Sequence, residues 1–251
     1  MLKLGIPLII VVTCCLCIWI CMQLYKLETC RNPSIVSSIA REAFRKPHFD
    51  EKFNAIDVSS FEVTEQQDSL TFINANDIVL ELGARYGTVS TIVNNILSNK
   101  TNHVVVEPDL DILDALKLNR NIHNCEFQIY TGTITGATTS KKIVRDGYGT
   151  YITDDNDNQS TFDKIESITY QEFKQRYPLN FNVLIMDCEG CAEEFVKTLG
   201  PELSHYNKIL LERDNIHMSN YSIVENMFMQ DGFTKVKDVG LHCIYINFNR
   251  L

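Results

Sequence analysis

From Asp77 to the C-terminus, apolar residues alternate between two rhythms, and that alternation leaves very few possible architectures. Short apolar runs at residues 78–82, 103–106, 127–129, 183–186 and 208–211 suit strands buried on both faces. Between them, apolar residues recur at helical spacing: Val89, Ile92, Val93, Ile96 and Leu97, then Ile112, Leu113 and Leu116 within residues 109–119. Phe195, Val196 and Leu199 predict a third helix, stopped by Gly200-Pro201, and Ile223, Val224, Met227 and Phe228 a fourth. Two last strands, 233–239 and 241–248, meet at Gly240 as a hairpin. Strands alternating with helices predict an α/β fold: a doubly wound, mostly parallel, seven-stranded sheet with a C-terminal antiparallel hairpin. Residues 131–169, rich in Thr, Asp, Asn and Gly, break the pattern and read as a lid or variable insertion.

Ahead of this domain, residues 4–25 carry no charged side chain and are bracketed by Lys3 and Lys26. As a helix these 22 residues would span about 33 Å, enough to cross a bilayer core. A buried core helix this long with no polar face is unusual, and a cleaved signal peptide has a shorter apolar core and a small-x-small site. Residues 1–25 are therefore expected to be a single-pass transmembrane anchor, and residues 26–76, mixed and polar, a stalk or helical lead-in to the 77–251 domain. Lys26, Arg31, Arg41, Arg45 and Lys46 follow the span, and only Lys3 and the amino terminus precede it, which predicts a cytoplasmic C-terminal domain. Three sequons, at Asn99, Asn158 and Asn220, argue the other way, but such triplets arise by chance in an Asn-rich chain.

Of nine cysteines, Cys14, Cys15, Cys17, Cys21 and Cys30 lie in or beside the apolar segment. Cys125, Cys188, Cys191 and Cys243 are too sparse for a disulfide framework in a domain this size. Cys188 and Cys191 form a C-x-x-C, yet other thioredoxin-like signals and further zinc ligands are missing. A net charge of −9 disfavours broad electrostatic binding of nucleic acid.

The ends of three predicted strands carry the chemistry. The first runs into Glu81-Leu82-Gly83-Ala84-Arg85-Tyr86-Gly87, where Gly83 permits a tight turn and Gly87 a close approach of the helix start to a ligand. The spacing is G-x-x-x-G, not the dinucleotide fingerprint, and no phosphate loop is present. The second ends in Val106-Glu107-Pro108-Asp109, where a carboxylate accepts hydrogen bonds from ribose hydroxyls; Asp109 could otherwise cap a helix. Together they describe a pocket for an adenosine ligand. The strand at 183–186 ends in Asp187-Cys188-Glu189-Gly190, where acids can hold substrate, orient a hydroxyl or act as general base, or else cap the next helix.

These segments, with Leu210-Leu211-Glu212, resemble the FkbM-type S-adenosylmethionine-dependent methyltransferases over roughly residues 77–251. The resemblance implies the methyltransferase version of the doubly wound sheet and O-methylation of a hydroxyl on a glycan or small metabolite. It implies S-adenosylmethionine as cofactor, with Glu81, Gly83 and Gly87 lining the cofactor loop, Glu107 on the ribose, and Asp187 and Glu189 at the active site. Asp187, Asp214 and Asn215 could converge on magnesium, as in catechol O-methyltransferases, but the last two are equally natural loop residues. The rivals are a non-catalytic scaffold that kept the fold and, against the glycine spacing, a nucleotide-dependent oxidoreductase.

Overall fold

The computed structural model describes Ser38 and residues 45–146, 149–154 and 164–251. The transmembrane segment expected over residues 1–25 lies outside these; among the described residues no helix is long and apolar enough to cross a membrane. Upstream of Asp77, β1 (His48–Phe49) pairs antiparallel with β2 (Ala55–Ile56), and α1 (Val63–Phe72) follows. These elements pack onto the domain: His48 is buried, its Nε2 3.1 Å from the Thr91 hydroxyl. The buried residues of α1 are Gln66, Asp68 and Ser69, so the helix leaves no apolar periodicity to read.

The alternating region then runs β3 (Val79–Leu82), α2 (Thr88–Ile96), β4 (His103–Glu107), α3 (Leu113–Ile122) and β5 (Gln128–Thr131). After an insertion come β10 (Val183–Met186), α5 (Ala192–Leu199), β11 (Lys208–Glu212), α6 (Tyr221–Gln230), β12 (Thr234–Val239) and β13 (His242–Ile246). These strands form a seven-stranded sheet in the order β12-β13-β11-β10-β3-β4-β5. Strands β11, β10, β3, β4 and β5 are parallel, and the terminal hairpin places β13 antiparallel to β11. The chain winds one way from β3 through β4 to β5, then restarts on the other side of β3 at β10. The crevice between the carboxyl ends of β3 and β10 is thus the topological switch point, where open α/β sheets bind ligands.

The unbroken apolar runs work because both faces of the sheet are covered. Leu80, Leu82, Val104, Val106, Leu184 and Met186 share a core with Phe195 of α5 and Phe228 of α6. The alternate position Val105 packs with Leu116 and Phe127 on the other face. Gly200, at φ +51°, ends α5, and Pro201 opens a 3-10 turn over Gly200–His205.

One expectation needs correction. The helix after β4 starts at Leu113, not Asp109, because the Asp109 carboxylate accepts from the Asp111 amide and is gripped by Arg145 at 2.6–3.1 Å. The insertion over residues 131–169, read as a lid or variable segment, carries its own secondary structure. It holds β6 (Thr133–Ile134), β7 (Thr139–Asp146), β8 (Gly149–Asp154) and β9 (Lys164–Ile168), a second sheet ordered β6-β9-β7-β8. Its β-branched residues supply the strand propensity, with Ile143 and Ile165 buried. Helix α4 (Tyr170–Arg176) follows, started by a capping box between Thr169 and Glu172.

Candidate functional site

A cavity with about 700 Å³ of empty space lies at the switch point, between the carboxyl ends of β3, β4 and β10, with Gly149, Thr150 and Ile152 of β8 on its outer side. Its floor depends on Gly83, which sits at φ +83° with its backbone against the end of β10. A Cβ there would come 1.7 Å from the Asp187 carbonyl oxygen, so no side chain fits.

Glu107 is buried at the end of β4 and faces the cavity. One carboxylate oxygen accepts from the amides of Ala84 and Arg85 at 3.2 and 2.7 Å; the other accepts from Asp109 at 2.8 Å. The acid at the end of the second strand therefore shapes the glycine turn at the end of the first. A carboxylate offers about four acceptor positions, so these three donors leave room for a ligand hydroxyl. Burial outweighs the three amides and pushes the Glu107 pKa up to about 7.

Asp187 lines the cavity at the end of β10, beside Glu212 at the end of β11. Their carboxylate oxygens lie within 4.8 Å of each other. Burial first, and the charge of Glu212 second, raise Asp187 well above the carboxylate range, while burial lifts Glu212 to about 7. Two carboxyls this close and this buried resist ionising together, so the pair holds a proton more tightly than either acid would alone.

Glu189 also lines the cavity, in a left-handed turn at φ +51°. Asp214 holds that turn by accepting from the amides of Glu189 and Gly190 at 2.7 and 2.9 Å, and from the Tyr221 hydroxyl at 2.9 Å. The Glu189 carboxylate accepts from the Asn215 amide at 2.6 Å and lies against Gly149 of β8, where a Cβ would sit 2.2 Å from it. A disulfide joins Cys188 to Cys191 across the same turn, and both cysteines line the cavity. Sparse cysteines excluded a disulfide framework, but a single local bridge needs only this one pair.

The magnesium arrangement does not fit. Oxygens of Asp187, Glu212 and Asp214 lie within 4.8 Å of one another, but Asn215, the third member of the expected set, is turned onto Glu189. A magnesium site needs oxygens free to take up near-octahedral geometry.

The structure thus brings Gly83, Glu107, Asp187 and Glu189 to one cavity. Glu81 and Gly87, expected in the cofactor loop, are placed elsewhere. The Glu81 side chain points to the opposite face of β3, accepting from Ser90 at 2.7 Å and pairing with His103 at 2.8 Å, all buried. Gly87 begins α2 at φ +78°, and a Cβ there would meet Leu116 of α3 at 2.9 Å; it makes room for a helix, not a ligand. Arg85 and Glu62 also line the cavity. Nothing in the sequence marks Glu62, which lies upstream of the alternating pattern.

No protein-family profile and no curated protein matches the chain. Among solved structures, it is similar to fibrillarin of Aeropyrum pernix with natively bound S-adenosyl-L-methionine, at 11% identity over 76% of each chain and a TM-score of 0.44. It is also similar to cofactor-bound Rv0187 from MTB, at 9% identity over 86% of this chain and 90% of that one, with a TM-score of 0.48. A third is TrmK of M. capricolum with S-adenosyl-homocysteine, at 10% identity over 75% and 69% and a TM-score of 0.41. With TM-scores below 0.5, none of these likenesses assigns a function to the chain; that rests on the cavity itself.

Proposed function

We propose that the domain is an S-adenosylmethionine-dependent methyltransferase that methylates a hydroxyl of a glycan or small metabolite, held at a membrane by residues 4–25. The observation that carries this reading is the acidic lining of the cavity: Glu62 and Glu189, with Glu107 and Asp187 as carboxyls that an entering cation drives to ionise, against a single cationic residue, Arg85. Such a lining favours a ligand with net positive charge and opposes an anionic dinucleotide or nucleoside triphosphate. S-adenosylmethionine has a sulfonium, an ammonium and one carboxylate, so its net charge is positive.

When bound, the cofactor supplies a methyl group on an activated sulfur, and what is left for the protein is largely placement. In this reading Glu107 accepts from the ribose hydroxyls and Arg85 faces the cofactor's carboxylate. Asp187 receives the proton of the acceptor hydroxyl. For that it must be ionised: a cation arriving beside the Asp187–Glu212 pair favours release of the pair's proton to solvent before transfer. Glu189, pressed on Gly149, couples the catalytic turn to the small sheet that covers the cavity and limits water entry. A membrane anchor would confine this chemistry to acceptors met at a membrane surface.

The test is incubation of the full-length chain with S-adenosylmethionine carrying a labelled methyl group and a panel of glycans and small hydroxyl compounds. Label is expected in an acceptor with the wild type, and at least ~100-fold less with Asp187→Asn, which cannot take up the proton. Binding of the donor with no transfer to any acceptor would favour the scaffold reading, and no binding would reject the proposal.

A further inference from the structure

Neither the Cys188–Cys191 disulfide nor the sequon at Asn99 is explained by the chemistry of the cavity. Structural disulfides persist in oxidising compartments and are rare in the cytosol. An oxidising compartment is safe for a domain only if its remaining thiols are kept from exchange. Among the described residues those are Cys125 and Cys243, at 7% and 0% exposure. Burial also pushes both thiols up to about 11, which leaves little reactive thiolate.

Asn99-Lys100-Thr101 lies in the turn between α2 and β4. Asn99 is exposed, and its side-chain oxygen accepts from the Thr101 amide at 3.2 Å and hydroxyl at 2.8 Å. This turn leads into the amino end of β4, whereas the cavity lies at the carboxyl ends of the parallel strands. A bulky group on Asn99 therefore stays clear of the cavity. Asn220 is less suitable: it caps α6 on the carboxyl side of the sheet, and its backbone amide donates to Glu193 at 2.7 Å. Asn158 lies outside the described residues.

The charge bias that favoured a cytoplasmic domain narrows near the membrane. The rule counts residues within about 15–20 positions of the span. There, Lys26, Arg31, Arg41 and Arg45 stand against Lys3 and the amino terminus.

We propose that Asn99 is an N-glycosylation site and that the domain faces the oxidising, lumenal side of its membrane. This goes beyond the methyltransferase reading and does not depend on it. In the modification, Asn99 Nδ2 bonds to the anomeric carbon of a lipid-diphosphate-linked oligosaccharide. The anomeric C–O bond breaks, its electron pair leaves with the lipid diphosphate, and one Nδ2 proton passes to a base of the transferase. For the bridge, Cys188 and Cys191 give two electrons and two protons to a disulfide-bearing oxidase, which becomes a dithiol.

The test uses the full-length chain expressed in cells with a secretory pathway. Peptide N-glycosidase is expected to increase the mobility of the wild type. N99Q and T101A should abolish the shift, and T101S and N220Q should keep it. Alkylation before and after reduction, read by mass spectrometry, should find Cys188 and Cys191 modified only after reduction. A wild-type band that glycosidase does not move, or a shift that survives both N99Q and T101A, would overturn the Asn99 site. Cys188 and Cys191 alkylated without reduction would overturn the lumenal placement.

Discussion

At the scale of single residues, Glu81 and Glu107 sit on neighbouring strands with side chains on separate tasks, and their variants should behave differently. Glu107→Ala removes the acceptor proposed for the ribose, and S-adenosylmethionine binding should weaken at least ~10-fold by calorimetry. It also orphans buried amides at a cost of about 1–3 kcal/mol, so denaturant unfolding should show a less stable but folded domain. Glu81→Leu should show the reverse emphasis. It leaves Ser90 and His103 without their acceptor, costs about 1–3 kcal/mol for each group, and leaves donor affinity unchanged in the folded fraction. A loss of affinity equal to that of the Glu107 variant would return Glu81 to the cavity.

The acids with raised pKa values make a pH prediction. Glu107 and Glu212 are pushed to about 7, so between roughly pH 4.5 and 7 the folded state holds protons that the unfolded chain has released. Their contribution to stability is therefore full below about pH 4.5 and is lost as pH rises through 7. A cationic donor acts in the opposite sense, favouring the ionised acids. Its affinity should rise with pH up to about 7, roughly tenfold per unit for each linked proton, and level off above. Calorimetry at pH 6 and pH 8 reads this directly. Gly83 and Glu107 were legible in the sequence because each follows an apolar run that ends abruptly. The Asp187–Glu212 pair was not, because it arises only from strand register.

At the scale of elements, legibility followed apolar content. Strands β3, β4, β10 and β11 are built on apolar runs and could be read within a residue or two. Helices α2, α5 and α6 bury regularly spaced apolar residues and were equally plain. Helix α1 buries Gln66, Asp68 and Ser69, and the β6–β9 sheet is built largely from Thr, Ser, Lys and Asp with a few isoleucines, so neither shows in a hydrophobic pattern. Helix α4 did leave a signal, the Thr169-Tyr170-Gln171-Glu172 capping box, which polar surroundings obscured. Thr169→Ala removes the bond from the Glu172 amide to the Thr169 hydroxyl, while the Thr169 backbone amide still donates to Glu172; it should cost about 1 kcal/mol in denaturant unfolding, with no effect on donor binding because Thr169 lies outside the cavity.

At the scale of the whole molecule, the sheet order decides where ligand chemistry can occur. Reversal of winding between β3 and β10 opens one crevice, and sequence-distant acids meet there because each ends a strand or begins a turn beside it. The general order was legible from alternation alone. The acidity of the crevice was not, since it draws on Glu62 ahead of the pattern and is covered by β8 from within the insertion. The measurement that tests the central claim most directly is calorimetric titration of the full-length chain in detergent with S-adenosylmethionine and, separately, NAD. The charge of the cavity predicts saturable binding of S-adenosylmethionine, stronger at pH 8 than at pH 6, and no binding of NAD. A folded chain that ignores S-adenosylmethionine at both pH values, or that binds NAD instead, would contradict the account.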